Sequence, residues 1–140
     1  MIIGQIRDGI VIDHITAGRG MEIMRILGLE DRECTVAMIK NADSVKMGKK
    51  DIVKIGEVID LDMTVLGYID PGITVNIIRE GKLVKRERLT LPKRVVDVIK
   101  CRNPRCITST EQELRHEFRL TDPEKQVYRC IYCDSVAKRP

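Results

Sequence analysis

Tryptophan is absent, and of 140 residues only Tyr68, Phe118, Tyr128 and Tyr132 are aromatic. That scarcity leaves no row of platforms on which the bases of single-stranded nucleic acid could stack. Charge argues the same way. The formal surplus of +4 is weak, and residues 1–91 carry 14 basic against 14 acidic residues while residues 92–140 carry 11 against 7. Neither nucleic acid nor a membrane is expected as a partner, because no apolar run approaches the ~20 residues that cross a bilayer. Nothing resembles a secretory signal, so the chain reads as a soluble protein. Two phosphate cradles are missing as well: neither G-x-x-x-x-G-K-[ST] nor G-x-G-x-x-G follows a predicted strand. No base, nucleophile and orienting group stand together, so no catalytic residues are assigned.

What the chain does have is an ordered set of cysteines. Cys101, Cys106, Cys130 and Cys133 form C-x4-C, then 23 residues, then C-x2-C. Two short thiolate loops brought together suit zinc, which takes four ligands in a tetrahedron with sulfur about 2.3 Å from the metal. Two disulfides or a redox pair are the competing readings, and the paired spacing favours zinc. Four thiolates leave no open position for water or substrate, so the zinc is structural. His116 and Glu117 lie between the pairs, but as neighbours in a predicted strand they face opposite sides and read as surface residues. Phe118, Tyr128 and Tyr132 are expected to form the small core of the zinc module. A segment of ~45 residues cannot bury an adequate core unaided, so metal would hold it together. Thiolate zinc, a leftover Cys34 and no secretory signal indicate the reducing cytoplasm.

The first ninety residues read as short strands separated by two helices. Residues 2–7 and 10–15 flank the turn signal Asp8-Gly9. From Gly20 to Leu29 the apolar positions Met21, Ile23, Met24, Ile26 and Leu27 recur at helical spacing, with Gly28 near the end. Residues 34–41 and 51–58 read as strands around the loop NADSVKMGKK, and Asp62 caps a second helix running through Tyr68. Asp70-Pro71-Gly72 turns the chain into a hairpin, 73–79 and 83–90, around Glu80-Gly81-Lys82. Strand, helix, strand, strand, helix, strand is the ferredoxin-like order, with an extra strand at each end. The expected fold is therefore α+β: a mostly antiparallel sheet with helices on one face, followed by a small all-β four-cysteine domain. Leu91-Pro92 marks the boundary between domains 1–91 and 92–140, since proline forces extended geometry and the charge balance shifts there.

Asp13, His14 and Asn76 are polar groups placed on apolar strands. Buried polar groups need partners. They either bond to nearby backbone or mark the solvent face of an edge strand, or they belong to a site with the basic residues Lys49, Lys50, Lys54, Lys82, Lys85, Arg86 and Arg88. Lys50 and Lys54, four apart, share a strand face. Cations for phosphates, an Asp for ribose hydroxyls and an Asn for a base edge would make a nucleotide site.

The segments GIVIDHI, MGKKDIVKI and TVNII, the Leu91-Pro92 junction and N-P-R within C-x4-C resemble the regulatory chain of aspartate carbamoyltransferase, from about Ile3 to Asp134. The resemblance implies an N-terminal allosteric domain, a C-terminal zinc domain docked on the catalytic chain, a regulatory homodimer, and no catalytic activity of its own. It implies the effectors CTP, UTP and ATP, in pyrimidine biosynthesis. Position by position it puts effector contacts at Val11, Asp13, His14, Lys50, Lys54, Asn76, Ile78 and Leu83. Arg86 stands where the family places a phosphate-binding lysine, and Gly81 where some relatives carry a large side chain near the base. A nucleic-acid-binding zinc ribbon is the alternative reading; pair spacing suits it, but charge and aromatic content do not.

Overall fold

The computed structural model describes residues 7–138. Within them the chain runs β1 (Gly9–Thr16), α1 (Gly20–Ile26), a 3-10 turn (Leu29–Asp31), β2 (Val36–Ser44), β3 (Gly48–Ile55), α2 (Met63–Ile69), β4 (Thr74–Arg79) and β5 (Lys82–Arg88). There follow β6 (Arg94–Val96), α3 (Ile107–Thr110), β7 (Glu117–Asp122) and β8 (Val127–Cys130). The first five strands make an antiparallel sheet in the order β2-β3-β1-β4-β5. That is the expected ferredoxin-like arrangement with β5 added at one edge. The predicted strand over residues 2–7 lies, apart from Arg7, outside the described residues. Gly9 belongs to β1 and pairs with Ile78, so Asp8-Gly9 does not form the tight turn expected there.

One sheet face carries the core. Ile10, Ile12 and Ile15 of β1, Val53 and Ile55 of β3, Ile73 and Val75 near β4, and Ile23, Leu66 and Ile69 from the helices are all buried. α2 begins where the Asp62 carboxylate accepts the Val65 N–H at 3.1 Å, an N-cap that satisfies one orphan donor of the first turn. α1 is shorter than its periodicity predicts. Gly28, with φ +66, takes the left-handed conformation that ends helices, and the chain passes into the 3-10 turn.

The predicted loop from Asn41 to Lys50 is largely strand instead. Ala42, Asp43 and Ser44 pair with Lys50, Lys49 and Gly48, so residues that resemble a turn are ladder rungs, with the side chains of Asp43 and Lys49 exposed to water. The β3 strand correspondingly starts three residues early and ends at Ile55. Asn41, with φ +61, marks one extra residue between Ile39 and Ala42, a bulge that re-aims the strand.

The remaining strands form a three-stranded sheet in the order β6-β7-β8, with the one-turn helix α3 interrupting the predicted all-β unit. Phe118 and Tyr128 are buried in it, whereas Tyr132 is 46% exposed and is not core. The two sheets meet through aromatic rings. Tyr68 of α2 stands edge-on to Tyr128 of β8, centroids 4.9 Å apart, and the Tyr128 hydroxyl donates to the Pro92 carbonyl at 2.5 Å. The connecting segment lies hard against α2: a Cβ at Gly67 would sit 2.5 Å from the Thr90 carbonyl oxygen. Among the described residues no helix is long and apolar enough to cross a membrane.

Candidate functional sites

The sheet face opposite the core is polar, and a second bulge shapes it. Between Ile12 and Ile15, β1 has one residue more than β3 has between Val53 and Asp51. The extra residue returns Ile15 to the core side and leaves Asp13 and His14 together on the open side, His14 at φ +59. One cross-strand row joins Lys54, Val11, Asn76 and Arg86 on adjacent strands; the next joins Asp13, Thr74 and Arg88. β1 and β4 are interior strands, so Asp13, His14 and Asn76 do not mark an edge.

Each polar group has a defined setting. The Lys50 ammonium lies 2.9 Å from Asp13 Oδ1, with both side chains mostly buried. Burial opposes ionisation of Asp13, but the Lys50 ammonium and the His14 amide, which donates to the same carboxylate at 2.6 Å, hold it below the usual carboxylate range. Arg86 Nε donates to Asn76 Oδ1 at 2.9 Å. His14 Nδ1 is shielded from solvent and has no hydrogen-bond partner among the described residues.

These groups enclose a cavity of about 110 Å³ lined by Asp13, His14, Lys46, Thr74, Asn76, Arg86 and Arg88. Sites for drug-sized ligands hold roughly 300–1,000 Å³. This cavity is smaller than that, and Val11, Lys54, Ile78 and Leu83 are not among the residues that line it. A larger groove of about 700 Å³ runs beside Asp97, Lys100, Glu113, Arg115 and His116, but it is lined by charges of both signs. The smaller cavity has one carboxylate, already paired, against three permanent cations.

Of the residues named from the sequence, Asp13, His14, Asn76, Arg86 and Arg88 converge on the cavity, and Lys50 reaches it through Asp13. Lys49 pairs with Asp43 and Lys85 with Glu87, both exposed. Leu83 is half exposed on β5, paired with Ile78 across a bulge. Thr74 and Lys46 were not foreseen as lining residues. Thr74 stands two before Asn76 on the same face, a period-2 signal present in the sequence, whereas nothing local ties Lys46 to β4 and β5.

The second constellation lies at the other end of the chain. The sulfurs of Cys101, Cys106, Cys130 and Cys133 all fall within 4.8 Å of one another, with Cys101–Cys133 at 3.5 Å and Cys106–Cys130 at 3.7 Å. A disulfide would need about 2.05 Å. A tetrahedron of sulfurs about 2.3 Å from a metal has edges of about 3.8 Å, so the donor set fits a four-thiolate ion. Burial pushes the Cys101 thiol up to about 12, while the Ser135 hydroxyl draws Cys133 down to about 6. A cation bound among them would favour the thiolate form of all four. His116 is not the surface residue expected: its Nδ1 accepts the Cys101 N–H at 3.1 Å, fixing the first cysteine loop. Thr108 donates to Cys106 Sγ at 3.1 Å.

Residues 1–90 match the family described as aspartate carbamoyltransferase regulatory chain, allosteric domain, and residues 93–140 match its metal binding domain. The chain belongs to the aspartate carbamoyltransferase regulatory chains. It is 53% identical over 139 residues to the regulatory chain of Clostridium tetani, covering 99% of this chain and 96% of that one. The Clostridium botulinum chain is 50% identical over 136 residues (97% and 93%), and that of Bifidobacterium longum 41% over 138 residues (99% of each). As a regulatory chain it is a non-catalytic subunit, with an allosteric and a metal-binding domain.

Proposed function

We propose that the chain binds nucleotide effectors, CTP, UTP and ATP, on the open sheet face of residues 1–91 and transmits their effect to the catalytic chain through a zinc domain, residues 92–140. The observation that carries this reading is the small cationic cavity on the sheet face, where Lys46, Arg86 and Arg88 stand with His14 and Asn76 around one paired carboxylate. Phosphates enter there, met by Arg86 with Lys50 beside it. Ribose hydroxyls reach Asp13 and Lys54, and the base lies against Val11, Asn76, Ile78 and Leu83. An effector shifts the catalytic equilibrium by its differential affinity for two quaternary states, typically ~1–3 kcal/mol. Zinc is the ion in the four-thiolate site. It folds the domain that attaches to the catalytic chain; the assembly contains a regulatory homodimer and works in the cytoplasm, in pyrimidine biosynthesis. Calorimetric titration of CTP and ATP into the full chain tests the site: saturable binding is expected, lost in Asn76→Ala/Arg86→Ala. Binding to mixed-sequence RNA with steep salt dependence, and no nucleotide binding, would contradict it.

A further inference from the structure

The cavity on the sheet face draws one residue from much farther away than the rest. Asp13, His14, Thr74, Asn76, Arg86 and Arg88 come from β1, β4 and β5, which are neighbours, whereas Lys46 lies in the turn between β2 and β3. β2 is the edge strand and β3 stands between it and β1. For Lys46 to line a cavity against β4 and β5, the tip of this hairpin must curl over the open face. Its base is braced: Met47 N–H donates to Ser44 Oγ at 3.1 Å, and Lys49 pairs with Asp43. Its end is free, with Val45 fully exposed.

Neighbouring cations have partners that Lys46 lacks. Lys49 is taken by Asp43, Lys50 by Asp13, and Arg86 by Asn76. Among the described residues neither Lys46 nor Arg88 has an ion-pair partner, yet both face the same cavity of about 110 Å³. Like charges gathered around a small space repel unless an anion fills it. The space is too small for a nucleoside and suits the end of a phosphate chain.

We propose that Lys46 is a contact for the terminal phosphates of the effector, the hairpin tip closing with Arg88 over the end of the chain so that the pocket reads phosphate number. This rests on the nucleotide reading above. On this proposal a monophosphate held by Arg86 would make no contact with Lys46, while a triphosphate would gain a charge-assisted contact there.

The test is calorimetric titration of CTP and CMP into the full zinc-loaded chain, wild type, Lys46→Ala and Lys46→Arg. Lys46→Ala is expected to lose roughly tenfold in CTP affinity, about the effect of one charged contact, with CMP affinity unchanged. Lys46→Arg should restore most of the loss, and CTP but not CMP should protect the bond after Lys46 from trypsin. Wild-type binding with CTP affinity unchanged in Lys46→Ala, or an equal loss for CTP and CMP, overturns the clasp alone. A wild-type chain that binds neither nucleotide overturns the clasp and the nucleotide reading together.

Discussion

Asp13 is the one carboxylate among the residues lining the sheet-face cavity, and its pairing with Lys50 explains why the strand tolerates it. An unpaired charge at that depth would cost far more than the pair does. Its folded-state ionisation lies below the usual carboxylate value of 3.8. The pair therefore contributes stability that is present above about pH 4 and is lost as pH falls through the folded value. Asp13→Asn leaves Lys50 without its partner and should lower unfolding stability at pH 7 by about 1–3 kcal/mol. In denaturant titrations from pH 7 to 3, the gap between wild type and variant should narrow on acidification; a constant gap would refute the role given to the pair. At this scale the sequence was informative where polarity broke an apolar pattern, as at Asp13, His14 and Asn76. It did not reveal that Lys46 faces β4 and β5 or that His116 accepts from Cys101, because those neighbours lie on other segments of the chain.

Elements whose signals are local were legible: α2 with its Asp62 cap, and the β4–β5 hairpin with Glu80 and Gly81 both at positive φ in its turn. The outer half of the β2–β3 hairpin was not. Asn-Ala-Asp-Ser carries turn propensity, but the rungs it forms with Lys49 and Lys50 are tertiary facts that override it. The bulges were equally hidden, although the one in β1 sets the site by turning Asp13 and His14 to the same side. Gly67 is the most exacting position in α2. Alanine would gain up to ~1 kcal/mol of helix propensity there, but its Cβ would meet a backbone oxygen that cannot swing aside. Gly67→Ala should therefore destabilise the chain by about 1–3 kcal/mol in thermal unfolding. A raised midpoint would mean that the segment around Thr90 is not held against α2 as described.

For the whole molecule, the sheet-face cavity and the cysteine cluster are separated along the chain. The cysteines announced themselves by spacing alone, because a metal site compresses its requirements into a short stretch of sequence. The sheet-face cavity could not do so, being assembled from β1, β4, β5 and a distant turn. Structural zinc contributes on the order of 10 kcal/mol to modules of this kind, more than a small sheet could replace. Removing the metal of the four-cysteine site with a chelator should unfold residues 92–140 and release the chain from the catalytic chains, while amide exchange in β1, β3 and β4 stays slow. Retention of the complex after complete metal removal would contradict the structural role.

The central claim is that a nucleotide on the sheet face changes the behaviour of a partner that carries out the chemistry. It is tested most directly by assembling this chain with the catalytic chain and recording aspartate saturation with and without CTP and ATP, for wild type and for Asn76→Ala/Arg86→Ala. The account predicts that at least one nucleotide moves the half-saturation point in the wild-type assembly and that the shift disappears in the variant. An assembly whose curve ignores both nucleotides, or a shift that survives in the variant, would contradict it.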